Sequence, residues 1–207
     1  MNHQSDISPD EALQRLLAGN QRFLRGESIL SGVSREDLGK MARGQRPFAV
    51  ILGCSDSRVS PETIFDCGLG ELFVIRVAGN VYSPEIAGSI QYAGVHLKTP
   101  LLVVLGHEGC GAVGAALEAK YQDARERSRL QLLLEEILPA LERLDPALPP
   151  AERLTRAVEL NVEHTLREIV DALEEKSLLA EGRVKIVGAV YDLETGRVRI
   201  LDPASPP

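Results

Sequence analysis

The sequence predicts an α/β fold: a mainly parallel central sheet of about four strands flanked by helices, with one antiparallel strand at its C-terminal edge. Three observations predict it. The runs 48–52, 72–77, 101–105 and 184–190 are nearly continuous in apolar residues, as strands covered on both faces must be. Segments with helical patterning lie between them, which implies parallel pairing through helical crossovers. At the end, residues 184–192, a Glu194-Thr195-Gly196 turn and residues 197–201 read as a hairpin that adds the antiparallel strand.

Taken in order, Ser8-Pro9-Asp10-Glu11 opens a helix, because Ser8 can cap it and Pro9 is pre-set for the first helical position. Leu13, Leu16, Leu17, Phe23 and Leu24 form its apolar stripe. A second short helix is expected over 34–43. Both precede the first strand, so this N-terminal arm (1–44) is expected to pack on a partner subunit. Within the core (45–201), helices are expected over 61–66, 84–98 after a Ser83 cap, 112–120, 129–144 and 151–179. The Pro-rich tail 202–207 is expected to be disordered. A chain of 207 residues suits one well-buried domain of this kind.

Composition narrows the partners. A net charge of -7 argues against nucleic acid or an anionic membrane surface, which need clustered Lys and Arg, and favours a small-molecule substrate. The longest apolar runs fall far short of a membrane span, and the start MNHQSDISPD lacks the basic and apolar regions of a signal peptide, so a cytoplasmic location is expected. With only three cysteines, that compartment points to metal binding or catalysis rather than disulfides.

The chemistry concentrates in Cys54-Ser-Asp56-Ser-Arg58 and His107-Glu-Gly-Cys110. Two thiols and an imidazole can fill three corners of a zinc tetrahedron, and three protein ligands with an exchangeable fourth position is the pattern of catalytic zinc. Both half-sites fall at carboxyl ends of predicted strands, where open parallel sheets bind their ligands, so they meet if the first and third strands are neighbours. In an extended segment Cys54, Asp56 and Arg58 would project to one side, placing a carboxylate beside the metal and a guanidinium beside the carboxylate. The cation would keep Asp56 ionised and aimed. Asp56 could then accept a proton from water on the metal or, swung free of Arg58, occupy the open corner itself. Glycines around His107 and Cys110 let a short backbone wrap both ligands round one ion, and a helix starting just beyond would favour the Cys110 thiolate. Cys67 has no close ligand partner and reads as a small buried hydrophobe.

Other readings fit less well. Gly109-Cys-Gly111-Ala-Val-Gly114 satisfies a dinucleotide-binding pattern, but the second strand and its acidic residue are missing downstream. A nucleoside deaminase would need H-x-E joined to P-C-x-x-C, and neither half is present. A structural zinc module or a non-catalytic zinc-binding protein is the main alternative of a different class.

With these motifs in hand, the chain resembles the β-class carbonic anhydrases from about residue 44 to 201. The likeness is densest in GCSDSRVSPETIFD, GELFVIRVAGN, SIQYAGVHL and LLVVLGHEGCGAV. The resemblance implies one zinc per subunit held by Cys54, His107 and Cys110, with Asp56 and Arg58 as the dyad that orients the zinc-bound hydroxide. It implies reversible hydration of carbon dioxide to bicarbonate and a proton. It further implies Gln45 as an amide donor to bicarbonate, Phe73 and Tyr92 as apolar walls, and a homodimer or homotetramer whose subunits meet at these three residues. On their own, Gln45 reads as a turn residue, Phe73 as strand core and Tyr92 as a helix residue packed on the sheet. Val77 stands where many relatives carry Asn, and the chain has no Trp, which puts an extra inhibitory bicarbonate site in doubt. His3, His96 and His164 are the histidines left over as proton carriers. Hydrolysis of a sulfur analogue such as carbon disulfide is the alternative reaction for such a zinc site.

Overall fold

The protein, seen in a computed structural model that describes residues 7–30, 34–122, 128–172 and 184–201, is organised by one five-stranded sheet. Its strands are β1 (Ala49–Gly53), β2 (Leu72–Arg76), β3 (Leu101–His107), β4 (Lys185–Tyr191) and β5 (Val198–Ile200), in the order β2-β1-β3-β4-β5. The first four run parallel, and β5 is antiparallel to β4 through Tyr191↔Val198. The helices are α1 (Pro9–Arg25), α2 (Arg35–Met41), α3 (Pro61–Ile64), α4 (Pro84–Val95), α5 (Gly111–Gln122), α6 (Arg129–Ile137) and α7 (Pro150–Asp171). None of them is long and apolar enough to cross a membrane.

Alternation along the strands sorts side chains into two layers. Val50, Leu52, Leu102 and Val104 pack with buried residues of α4 to α7, whereas Ala49, Ile51, Leu101, Val103 and Leu105 pack with Ala12 and Leu16 of α1 and Ile64 of α3. Burying each large aliphatic side chain contributes about 1.5–3 kcal/mol, so these layers supply most of the driving force. Helix α7 lies close over the sheet where no side chain intervenes. A Cβ on Gly106 would stand 2.6 Å from Val162 Cγ2, and one on Gly188 would stand 2.9 Å from Val162 Cγ1.

The sheet and its pairing follow the sequence expectation, while two helices depart from it. Helix α1 starts as read, with the Ser8 and Glu11 side chains capping each other's backbone N–H. One side of it lies on the chain's own sheet, where Ala12 and Leu16 are buried and Asn20 donates to Ile64 O and Gly196 O, while Leu13, Leu17, Phe23 and Leu24 are only partly buried. The helix expected over 129–144 is interrupted, since Pro139 has no N–H to donate, and residues Leu138–Arg143 form 3-10 turns instead. Helix α7 stops at Asp171 with Ala172 extended, and the remainder of the expected helix lies outside the described residues, as do the tail 202–207 and His3.

The stretch that follows α3 is fixed by one carboxylate. Asp66, fully buried at its side chain, accepts from Arg22 Nε at 2.5 Å, Ser28 Oγ at 2.6 Å and Ile29 N at 3.1 Å. Burial opposes its charge, but the Ser28 and Arg22 hydrogen bonds overcome this and hold its pKa at about 2. A folded-state pKa below the unfolded value means that the stabilisation is complete above the ordinary Asp range and is lost as pH falls toward 2. Asp66→Asn is therefore expected to cost about 1.5–3 kcal/mol near neutral pH. In urea titrations at descending pH, the gap between wild type and variant closes; a gap independent of pH would contradict this account.

Candidate metal centre

Strand pairing brings the two half-sites together. β1 and β3 are adjacent, with Gly53 opposite Leu105, so Cys54 emerges from one strand beside the end of the other, where His107 lies. A turn through Gly109, at φ 63°, then carries the chain to Cys110 at the start of α5. The ligand-capable atoms of Cys54, His107 and Cys110 lie within 4.8 Å of one another, and all three residues are buried. The two sulfurs are 4.0 Å apart. Around a tetrahedral zinc with bonds of about 2.3 Å, two sulfurs stand about 3.8 Å apart, so the pair needs almost no movement.

The imidazole is prepared in the same way. His107 Nδ1 lies 2.9 Å from Glu108 O, and because a carbonyl only accepts, Nδ1 carries the proton and leaves Nε2 with a lone pair. That buried Nε2 has no hydrogen-bond partner among the described residues. A buried acceptor facing two sulfurs, with nothing to bond, fits a cation ligand.

Electrostatics at the sulfurs agree. The Cys110 thiol donating toward Cys54 is the main cause that pulls the Cys54 pKa down to about 4, and the same contact with burial drives Cys110 upward. Opposing that rise, the backbone N–H groups of Val113 and Ala112 in the first turn of α5 favour the charged form of Cys110. Two sulfurs this close tolerate one negative charge between them unless a cation supplies the balance. At His107, burial works against the proton, but the neighbouring Cys54 outweighs it and raises the pKa. Cys67 behaves as the sequence suggested: it is buried, donates to Phe65 O at 3.2 Å and has its pKa pushed up to about 12 by burial.

Asp56 and Arg58 meet, though not by strand alternation. The chain turns at Asp56, whose carbonyl accepts from Val59 N at 3.0 Å and whose Oδ1 accepts from Arg58 N at 3.0 Å. A side-chain-to-backbone bond of this kind competes with extended structure, and it brings the guanidinium back onto the carboxylate. Arg58 Nε donates to Oδ1 at 2.9 Å and Nη2 to Oδ2 at 2.7 Å, a bidentate fork that holds Asp56 well below the usual carboxylate range. Asp56 Oδ2 faces His107 Nε2 at 3.9 Å.

The remaining expected residues are placed as follows. Phe73, on β2, and Tyr92, on α4, bring their ring centroids to 6.1 Å, and Tyr92 in turn lies 5.1 Å from the exposed ring of His96. Gln45 is exposed in the loop entering β1, on a different element from the ring pair. Sequence reasoning overlooked Arg76, whose guanidinium donates to Cys54 O at 3.0 Å and Asp56 O at 2.5 Å and so pins the ligand loop. It also overlooked the turn Ala78–Asn80, where Gly79 N donates to Cys54 Sγ at 3.4 Å. A Gly-Asn pair just after a strand is a turn signal that could have found it.

Fold and centre together define a doubly covered, mainly parallel α/β protein with a buried Cys-His-Cys cluster able to hold a metal ion. A carbonic anhydrase family profile matches residues 49–198. Carbonic anhydrase 2 of Mycobacterium tuberculosis is 37% identical over 201 residues, 95% of each chain. The crystal structure of the β-carbonic anhydrase CafA of Aspergillus fumigatus is similar with a TM-score of 0.75 at 31% identity, over 83% of each chain. One of two tetrameric β-carbonic anhydrases from Sordaria macrospora gives 0.74 at 28% identity, covering 91% of this chain and 96% of that one. The chain belongs to the β-class carbonic anhydrase family.

Cys54→Ser and Cys110→Ser are each expected to lower metal content from about one zinc per subunit to near none, measured by elemental analysis of purified protein. Full zinc in either variant would remove that sulfur from the ligand set.

Proposed function

We propose that Cys54, His107 and Cys110 hold the zinc with which this protein hydrates carbon dioxide reversibly to bicarbonate and a proton, and that Asp56 and Arg58 act beside it. The observation that carries the reading is the bidentate Asp56–Arg58 pair: with both oxygens engaged by the guanidinium, the carboxylate is kept out of the metal's fourth corner. Zinc, when bound, supplies Lewis acidity that brings the pKa of water at its open position toward neutrality.

The chain's own groups do the rest. Asp56 stays ionised through the working pH range, because Arg58 holds its pKa well below neutrality, and it accepts a hydrogen bond from the attacking nucleophile. That bond turns a lone pair toward the substrate carbon. The rings of Phe73 and Tyr92 offer an apolar wall for carbon dioxide, and the Gln45 amide donates to the oxygen on which charge accumulates. The surplus proton leaves to solvent.

The working unit is a homodimer or homotetramer. Support comes from α4, where Tyr92 and Val95 are 47% and 58% exposed beside the Phe73 ring, a surface that a second copy would cover. The Sordaria relative is described as tetrameric. A cytoplasmic location fits three free thiols, the state a reducing compartment maintains.

Stopped-flow hydration of carbon dioxide, with zinc content measured in parallel, tests the reading. Asp56→Asn is expected to lower kcat/KM by about 100-fold while retaining zinc, and Arg58→Ala by about 10–100-fold. Zinc-loaded wild type without hydration activity would overturn the proposal and favour a sulfur substrate or a non-catalytic role. Separately, Val95→Glu is expected to reduce the sedimenting mass to that of a smaller assembly; an unchanged mass would exclude this face from the subunit contact.

A further inference from the structure

One side of the ligand Cys54 is controlled from the far end of the sequence. The turn Ala78–Asn80 has two successive residues in the left-handed region, Gly79 at φ 69° and Asn80 at φ 46°, and it aims Gly79 N–H at Cys54 Sγ. A side chain at Gly79 is excluded twice over, since a Cβ there would also lie 2.8 Å from Ile137 Cδ1. Rotation of the peptides on either side would swing the N–H off the sulfur. Two hydrogen bonds oppose that rotation: Asn161 Nδ2 donates to Gly79 O at 2.7 Å, and Thr165 Oγ1 donates to Asn80 O at 3.3 Å.

Asn161 and Thr165 stand one turn apart on α7, in a buried stripe whose neighbours Ala157 and Ile169 are apolar. Because the Gly79 carbonyl can only accept, the amide orientation of Asn161 is fixed, and its Oδ1 is left without a partner among the described residues. A half-satisfied buried amide is a poorer stabiliser than a leucine of similar size. Its contribution is therefore sought in what it holds rather than in core stability. The backing is firm, because Val162, the next residue, is the side chain that seats against Gly106 and Gly188 and sets the height of α7 over the sheet.

We infer that Asn161 is a positioning residue for the metal centre: through Gly79 it fixes the direction from which a peptide N–H meets the Cys54 sulfur, and Thr165 assists it. An N–H donated to a metal-bound sulfur orients its lone pairs and weakens its electron donation to the ion. The inference rests on Cys54 being a zinc ligand.

The test uses full-length protein loaded with cobalt(II), whose sulfur-to-metal charge-transfer absorption reports electron donation directly, and zinc transfer to a competing chelator. Asn161→Leu is expected to move the absorption to lower energy, because the freed sulfur donates more strongly, and to speed zinc release by about 10–100-fold, because the sulfur is no longer held in one orientation. Thr165→Val, nearly isosteric, shifts both in the same direction by less and carries the test if Asn161→Leu does not fold. Ile169→Ala, which opens space on α7 but removes no bond to the turn, leaves the absorption in place. An unchanged absorption in a folded Asn161→Leu or, failing that, Thr165→Val protein overturns the inference, as does an equal shift in Ile169→Ala. Wild type that takes up neither cobalt nor zinc defeats the ligand assignment itself and this inference with it.

Discussion

The parallel pairing of β1 with β3 is the constraint on which the centre depends. Cys54 and His107 are distant in the chain, yet each needs only to be at the end of its strand for the sulfur and the imidazole to face each other. The register is strongly specified, because a one-residue slip would exchange the layer containing Val50 and Leu52 for the layer containing Ile51. Core packing thus holds the Cys54 sulfur and the His107 imidazole close together. Cys110 joins them at little added cost in chain entropy, since α5 begins directly after it.

Around this centre the protein accepts local costs that the fold must offset. His107 Nε2 and one amide atom each of Asn80 and Asn161 are buried without partners among the described residues. Each such group is unfavourable by about 1–3 kcal/mol when left unpaired. Gly79 and Asn80 occupy a backbone region that side chains disfavour. The surrounding layers are continuous and apolar, which is the setting in which such strain can be kept. A site assembled from loops alone would relax.

The strands were legible because burial on both faces leaves unbroken apolar runs, and the Cys-His-Cys cluster was legible because thiol and imidazole at short spacing have few other uses. Helix α1 shows the limit of periodicity: it identifies an apolar face and says nothing of what covers it. In the 129–144 region the pattern continued across Pro139, but the backbone could not. The dyad was found for an incomplete reason, since Asp56 and Arg58 meet through a turn closed by the carboxylate rather than through alternation. Asn161 and Thr165 were not legible at all. They interrupt an apolar stripe as ordinary polar residues do, and their acceptors, on Gly79 and Asn80, lie 82 and 85 residues away.

Burial at Cys67 has a practical corollary for chemical probing. With its pKa pushed up to about 12, only about one molecule in 100,000 carries the nucleophilic sulfur anion there at neutral pH. Electrophiles such as iodoacetamide therefore meet a neutral thiol at this position and at Cys110, whose pKa is also raised, and the lowered pKa of Cys54 leaves its sulfur the reactive one. Alkylation kinetics accordingly become a gauge of cation occupancy, with coordinated sulfur shielded and vacant sulfur consumed.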